Sequence, residues 1–362
     1  MINNLDDISS IEQIDAGDML GSIAQFPEHL EKSFLMGTEN ANYHQDINQI
    51  VFFGLGGSAT AGEVICQKLG EQCQTPSRLI RRSYLPKYID QNTLCIALSY
   101  SGNTKETIAC YKQAFSKGAA VISISSGGEL EQLSSENKTT FVKLPTGYQP
   151  RAALGLLIGA SLGCLSKAKL VEDLPLTIKE TVSLLTNLKN QYIEDIPTAK
   201  NLAKQIATDI LGHIPLIYTS ETLGLAVSNR WKNQLNENSK VMAYGNVFPE
   251  LAHNEIMSDN QQQKPIIIYL YNPDEETSIL ETNRTALELI KPQTYKIVEI
   301  ASNGISLLAK TLSTILLGDY ISTYLAIRRQ IDPTPVDRII KLKSELRKID
   351  KIAASPLQGS SQ

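Results

Sequence analysis

Residues 51–63 read Val-Phe-Phe-Gly-Leu-Gly-Gly-Ser-Ala-Thr-Ala-Gly-Glu, an apolar run that ends in glycines and a serine before a helical pattern begins. This order is typical of a strand, a tight turn and the N-terminus of a helix. Gly54, Gly56 and Gly57 lack the Cβ atoms that keep a ligand away from the backbone. Ser58 is predicted to cap the helix, and the free N–H groups behind it attract anions. The stretch therefore predicts an anion-binding turn.

Strands and helices alternate along the chain on both sides of this turn. In the first half, continuous apolar runs followed by helical patterns predict a parallel sheet with helices on both faces. The second half repeats the same order, with a helix predicted over 176–211 and a short strand at Lys240–Ala243. We predict an α/β protein of two doubly wound domains, each a mainly parallel sheet flanked by helices. The predicted units are 1–172 with a helical lead-in, 176–352, and a disordered tail at 353–362.

Composition limits the class of function. The chain of 362 residues has a formal net charge of −4, without the basic excess typical of nucleic-acid-binding proteins. Its first twenty residues do not form a secretory signal, and no apolar run reaches transmembrane length. The five cysteines have no paired spacing, which indicates reduced thiols. We therefore expect a cytoplasmic protein that binds neither nucleic acid nor a membrane.

A second polar turn, Ser99-Tyr-Ser-Gly-Asn-Thr104, follows another predicted strand of the first sheet. Ligands bind beyond the carboxyl ends of parallel strands, so both turns are expected to face one point. Either turn alone is explained equally well by ordinary helix caps, but together they offer the short donors that a phosphate monoester requires. The corresponding turn in the second half carries Tyr271, Asn272 and Pro273 instead. The candidate phosphate-binding residues are Gly57, Ser58, Ser99, Ser101 and Thr104.

The glycine turn also allows a different interpretation. Gly54-Leu-Gly-Gly-Ser-Ala59 fits the G-x-G-x-x-A pattern of dinucleotide-binding proteins, between a strand and a helix as that pattern requires. The next strand ends in Arg81 and Arg82 rather than in an acidic residue that binds a ribose hydroxyl. An NADP-dependent oxidoreductase therefore remains an alternative, although the Ser99–Thr104 turn has no role in it.

Three residues are candidates for a catalytic role, either as an acid or base or as a stabiliser of negative charge. Arg151 stands at a predicted helix start, where a cation opposes the helix dipole, so a role in stabilising an oxyanion is favoured. Glu237 ends a helix between two asparagines, which can orient a general base without neutralising it, although a solvated helix end is the simpler interpretation. His253 stands out among the histidines by its polar surroundings. No His or Cys pair has metal-ligand spacing, so a metal-dependent mechanism is not expected.

Several of these motifs together resemble the bifunctional phosphoglucose/phosphomannose isomerase family, whose members contain two sugar-isomerase (SIS) domains. The Ser-x-Ser-Gly-x-Thr turn alone marks only an SIS domain, whereas Asn-Glu-Asn followed by His-Asn narrows the likeness to this family. The likeness covers about residues 45–348. The motifs are Gly-Leu-Gly-Gly-Ser-Ala (54–59), Ser-Tyr-Ser-Gly-Asn-Thr-Lys-Glu-Thr (99–107), Pro-Arg-Ala-Ala-Leu (150–154), Asn-Glu-Asn-Ser-Lys (236–240), His-Asn-Glu (253–255) and Asp-Pro-Thr-Pro-Val (332–336).

The resemblance implies two SIS-type domains and a homodimeric, cofactor-free isomerase. Its reaction would interconvert glucose 6-phosphate and mannose 6-phosphate with fructose 6-phosphate through a cis-enediolate. Glu237 would be the base that moves a proton between C1 and C2, and Arg151 would stabilise the enediolate. His253 would open the sugar ring across a dimer interface. An SIS-domain regulator that binds a sugar phosphate without converting it is the alternative.

The resemblance also implies roles near the C-terminus. Lys343, on the last predicted helix, would assist ring opening or bind the sugar, with Lys341 as a second candidate. The family's acceptance of both C2 epimers is attributed to a small threonine near C2. Thr334 and Val336 are both candidates for that place in this chain.

Overall fold

The structure is a computed structural model that describes residues 5–41, 46–258 and 263–354. The N-terminal lead-in forms three helices, which are α1 (Ile8–Ile14), α2 (Met19–Ala24) and α3 (Phe26–Asn40). Helix α3 packs along α7 (Leu154–Lys167). Gly37 and Gly159 allow this close approach, because a Cβ atom on either would overlap the backbone of the other helix. The lead-in is therefore part of the packed core.

The first sheet is entirely parallel, with strand order β2-β1-β3-β4-β5. Its central strand β3 is buried along its whole length, because helices cover both faces of the sheet. The elements are β1 (Gln49–Phe53), α4 (Gly57–Gln72), β2 (Ser77–Ile80), β3 (Thr93–Leu98), α5 (Lys105–Ser116), β4 (Ala120–Ser125), α6 (Glu129–Asn137) and β5 (Thr140–Lys143).

The second sheet is also parallel, and its strand order β7-β6-β8-β9 repeats the first four positions of the first sheet. The two predicted α/β sheets are thereby confirmed. The elements are α8 (Leu174–Tyr192), α9 (Leu202–Ile210), β6 (Pro215–Thr219), α10 (Gly224–Glu237), β7 (Tyr244–Val247), β8 (Ile266–Tyr271), α11 (Thr277–Ile290), β9 (Lys296–Ala301), α12 (Leu307–Arg328) and α13 (Asp337–Ala354). Short 3₁₀ helices lie at Thr198–Lys200, Glu250–His253, Glu255–Met257 and Lys291–Gln293.

Two sequence predictions for the second half are wrong. The helix predicted over 176–211 is divided, because α8 ends at Tyr192 and Asn201 caps a new helix by accepting a hydrogen bond from the Lys204 amide. The strand predicted at Lys240–Ala243 lies instead at Tyr244–Val247. Lys240 has a positive φ of 56°, which turns the chain after α10 and delays the strand.

The prediction of a disordered C-terminal tail at 353–362 is wrong for its first two residues. Residues 353 and 354 belong to helix α13 rather than to a tail, since that helix runs to Ala354. Residues 355–362 lie outside the described part of the chain.

Candidate active site

The glycine turn joins β1 to α4 with a backbone that only glycine adopts easily. Gly56 precedes the helix with φ of 57° and ψ of −133°. The prediction that Ser58 caps α4 is wrong, because Gly56 holds the cap position and Ser58 lies within the first turn. The Ser58 hydroxyl oxygen instead accepts a hydrogen bond from the Tyr100 amide at 3.3 Å. This bond ties the glycine turn to the turn that follows β3.

The turn after β3 has one buried and one exposed serine. Ser99 is buried, and its Oγ lies 2.9 Å from the Oγ1 of Thr104. Ser101 is exposed, and its Oγ accepts a hydrogen bond from the Asn103 amide at 3.3 Å. Gly102, with φ of 67°, closes the turn by donating from its amide to the Ser99 carbonyl at 2.9 Å. The two turns thus gather the predicted phosphate donors at adjacent strand ends.

The start of α4 lies against the segment that carries Arg151. A Cβ atom on Gly57 would stand 3.1 Å from the Pro150 carbonyl oxygen and 3.4 Å from the Arg151 Cα. Such a distance is tighter than ordinary van der Waals contact, so a side chain at Gly57 would push the two segments apart. Glycine at this position brings the glycine turn next to Arg151.

Arg151 is only 3% exposed, and its guanidinium extends towards the end of α10. Its Nε donates to the Asn238 Oδ1 at 2.6 Å, and its Nη2 donates to the carbonyl oxygens of Pro333 and Thr334 at 2.9 and 2.8 Å. Burial lowers the pKa of Arg151, while the Glu237 carboxylate opposes that effect. The guanidinium keeps its charge in this setting. It is a fixed cation, held by neutral oxygens on several sides.

Glu237 is the last residue of α10, and its carboxylate faces this cation. Its Oε2 lies 3.8 Å from the Arg151 Nη1, and its side chain remains 30% exposed. The next residue, Asn238, donates from its Nδ2 to the Ser322 Oγ at 3.0 Å. Lys240 donates from its Nζ to the carbonyl oxygens of Glu237 and Pro335. The structure therefore places a partly exposed carboxylate beside a buried guanidinium.

A buried ion pair that was not predicted from the sequence binds the backbone of Arg151. Arg230 binds both carboxylate oxygens of Asp319 at 2.9 and 2.6 Å, and both side chains are about 2% exposed. The Arg230 Nη2 also donates to the Arg151 carbonyl oxygen at 2.8 Å. The signal in the sequence was a single aspartate within the otherwise uncharged run 311–327.

His253 and Lys343 do not join this group within the single chain. His253 ends a 3₁₀ helix after β7 and is exposed, as is Lys343 on α13. Neither side chain makes a hydrogen bond or ion pair with the residues that the structure describes. The structure therefore links Arg151 and Glu237 to the two turns that are predicted to bind phosphate, residues 54–59 and 99–104 (the phosphate turns), but not to His253 or Lys343.

The corresponding turn of the second sheet is built differently. Residues 272–277 read Asn-Pro-Asp-Glu-Glu-Thr, where the first sheet has Ser-Tyr-Ser-Gly-Asn-Thr. The Glu275 Oε1 accepts a hydrogen bond from the Thr222 amide at 2.9 Å, near the start of α10. In the second sheet, a carboxylate of the chain itself therefore binds this backbone amide.

Two features are absent from the described residues 5–41, 46–258 and 263–354. No group of three or more His, Cys, Asp or Glu side chains there could hold a metal ion. Among the helices of the described ranges, none has the length and apolar character needed to cross a membrane.

Comparison with protein families identifies both halves of the chain. Residues 45–148 match the SIS domain, and residues 199–346 match the bacterial phospho-glucose isomerase C-terminal SIS domain. A glucose-6-phosphate isomerase-like protein from Thermus thermophilus has a similar fold, with a TM-score of 0.62 and 15% identity. That similarity covers 92% of this chain and 95% of the Thermus chain.

Two curated relatives show to which family of SIS-domain proteins the chain is similar. A bifunctional phosphoglucose/phosphomannose isomerase from Caldicellulosiruptor bescii is 37% identical over 91% of this chain and 99% of its own length. A D-glucosamine-6-phosphate 4-epimerase from Sulfolobus acidocaldarius is 30% identical over 72% of this chain and 80% of its own length. The first of these two similarities extends over nearly the whole of both chains. The chain therefore belongs to the bifunctional phosphoglucose/phosphomannose isomerase family.

Proposed function

We propose that this protein is an aldose–ketose isomerase that interconverts glucose 6-phosphate and mannose 6-phosphate with fructose 6-phosphate. The observation that carries the proposal is the Glu237 carboxylate, which lies 3.8 Å from the buried guanidinium of Arg151, a residue whose backbone packs against the glycine turn at Gly57. Isomerisation needs a proton moved between neighbouring carbons and a negative charge stabilised meanwhile. The site offers a base and a cation for these two tasks.

In the proposed reaction, the two serine turns bind the phosphate at the far end of the sugar. The opened aldose has a carbonyl group at C1 and a hydrogen on C2. Glu237 removes the C2 proton, and Arg151 stabilises the oxygens of the cis-enediolate that forms. The same proton returns to C1, while the hydroxyl proton passes from O2 to O1, so that the ketose forms with no net loss of atoms. Binding energy from the remote phosphate positions C1 and C2 for this transfer.

The two aldoses differ only in configuration at C2, and this difference disappears when C2 becomes trigonal in the enediolate. Acceptance of both therefore requires room for the sugar to present either face of C2 to Glu237. Thr334 is the better candidate for that space, because its carbonyl oxygen binds the Arg151 guanidinium at 2.8 Å. Val336 instead begins α13 by accepting hydrogen bonds from the Ile339 and Ile340 amides.

The proposed enzyme acts as a homodimer in the cytoplasm, with domains 1–172 and 176–352. Within one chain, His253 and Lys343 are exposed and do not join Arg151 and Glu237. In this proposal a second copy of the chain brings them to the site. Exposed apolar side chains lie near both residues in the sequence. Met257, four residues after His253, is 83% exposed, and Ile340 and Leu342, just before Lys343, are about 60% exposed. Such side chains are typical of surfaces that another protein covers. We propose that His253 of one copy opens the ring bound by the other.

Replacing His253 with alanine is expected to lower kcat more for the cyclic sugar phosphate than for an open-chain analogue without ring-forming hydroxyl groups. The reason is that only the cyclic substrate needs an acid–base group before proton transfer, a contribution of about 10²–10⁴-fold. Mixing His253→Ala with Glu237→Gln after subunit exchange should restore about a quarter of the activity, because each mixed dimer contains one complete site. Equal losses on both substrates would remove ring opening, and failure to complement would place His253 in its own subunit's site.

The proposed reaction is tested by incubating the full chain with fructose 6-phosphate in EDTA and resolving the products by NMR. We expect both glucose 6-phosphate and mannose 6-phosphate to form. Binding without conversion would instead support a regulator, and reduction of added NADP⁺ would support the oxidoreductase. A parallel incubation with glucosamine 6-phosphate tests the chemistry named for the Sulfolobus relative. Conversion of that substrate alone would also overturn the proposal.

A further inference from the structure

The N-terminal segment touches the loop that holds Arg151, although it precedes both regions matched by the family models. Gly17 lies in the short connection between α1 and α2. A Cβ atom built on it would stand 2.6 Å from the Thr334 Cβ and 2.7 Å from its Cγ2, with Oγ1 nearer still. Only the absence of a side chain at Gly17 allows Thr334 to occupy its position.

The loop at Thr334 is held from the opposite side by the site itself. The carbonyl oxygens of Pro333 and Thr334 accept from the Arg151 Nη2, and Lys240 donates to those of Pro333 and Pro335. The Thr334 amide donates to the Asp332 Oδ1 at 2.8 Å. The loop therefore lies between the N-terminal segment and the guanidinium, and movement of the loop would move the carbonyl groups that orient Arg151.

The Thr334 side chain is positioned by packing alone. Its hydroxyl oxygen is buried and has no hydrogen-bond partner among the residues that the structure describes. A buried hydroxyl group without a partner carries a desolvation cost of about 1–3 kcal/mol. Contact with Gly17, rather than a hydrogen bond, thus sets where this side chain lies.

Gly17 itself is held in place by the aspartates on either side of it. Both carboxylate oxygens of Asp15 accept hydrogen bonds at 2.8 Å, from the Met19 and Leu20 amides at the start of α2. Asp18 accepts from the Gly21 amide at 3.1 Å. Burial, together with the carboxylates of Asp18 and Asp332, raises the pKa of Asp15 to about 6, in keeping with the closeness of the two loops. The segment is a fixed support rather than a loose connection.

We propose that Gly17 is a positioning residue for the isomerase site, which acts through Thr334 on the guanidinium of Arg151. This inference rests on the proposed function, because it concerns how Arg151 is aimed at the reacting carbons. It gives the N-terminal segment a part in setting the geometry around C1 and C2. The three atoms nearest to a Cβ built on Gly17 all belong to Thr334.

The test replaces Gly17 with alanine. The φ of Gly17 lies outside the left-handed region, so alanine introduces the Cβ atom without backbone strain. We expect kcat to fall by about 10- to 100-fold, because a displacement near 1 Å can cost about 100-fold. KM should change little, and the ratio of kcat/KM for mannose 6-phosphate and glucose 6-phosphate should shift. The matched control is Gly70→Ala in α4, where no atom lies within 4 Å of the added Cβ.

The epimer ratio separates positioning from a loss of folded protein, because a smaller active fraction lowers both activities equally. A double-mutant cycle with Thr334→Gly gives a second test, since the overlap with Gly17→Ala disappears when Thr334 has no side chain. In that background Gly17→Ala should have almost no effect. An unchanged epimer ratio in Gly17→Ala, or an equal effect of Gly17→Ala in both backgrounds, would overturn the proposal. Absence of isomerase activity in the unmodified protein would instead refute the proposed function.

Discussion

Glu237→Gln is expected to lower kcat for fructose 6-phosphate by about 10²–10⁴-fold, the usual contribution of a positioned general base. Glutamine has nearly the same shape but cannot accept the C1 proton that must leave fructose 6-phosphate when the enediolate forms. The phosphate turns are built from residues before 105, so sugar-phosphate binding should persist. Steady-state kinetics measure the loss, and isothermal titration with fructose 6-phosphate measures binding.

The matched control is Glu221→Gln, which removes an exposed carboxylate from the same half of the chain. It should retain wild-type kcat, because charge at the surface has little effect on a site that it does not touch. A Glu237→Gln variant with near-native kcat would show that another group is the base. Loss of binding together with kcat would instead assign Glu237 to substrate binding or to support of Arg151.

The sequence predicted the fold well because a parallel sheet has a local signature. Each buried strand reads as an apolar run followed by a turn and a helix, so both sheets could be inferred without any long-range contact. Predictions failed where a single residue redirects the chain. The positive φ of Lys240 and the cap at Asn201 are local events that hydrophobic periodicity does not register.

The individual residues of the candidate site could be predicted from the sequence, but the contacts between them could not. The phosphate turns, Arg151 and Glu237 each had a local pattern, whereas the contact between Arg151 and Glu237 brings together the two halves of the chain. The contact of Gly17 with Thr334 joins segments near opposite ends of the sequence. A contact of this kind follows from the packed fold, and a single sequence offers no signal for it.

Asp319→Ala is expected to destabilise the protein by about 3–5 kcal/mol, because it leaves the Arg230 guanidinium buried without its partner. Arg230 is about 2% exposed, so water cannot replace the bidentate carboxylate. Chemical denaturation at a fixed protein concentration measures the free energy of unfolding. The control Arg284→Ala removes an exposed ion pair with Glu299 and should cost no more than about 1 kcal/mol.

Replacing both partners, as Arg230→Met with Asp319→Leu, should restore most of the lost stability, since well-packed apolar side chains can substitute for a buried pair. Activity should not recover with it, because the Arg230 Nη2 also holds the Arg151 carbonyl oxygen at 2.8 Å. A stable double variant with a reduced kcat would assign the pair to the orientation of Arg151. A double variant with wild-type kcat would limit the pair to stability, and one as unstable as Asp319→Ala would contradict the account of an uncompensated charge.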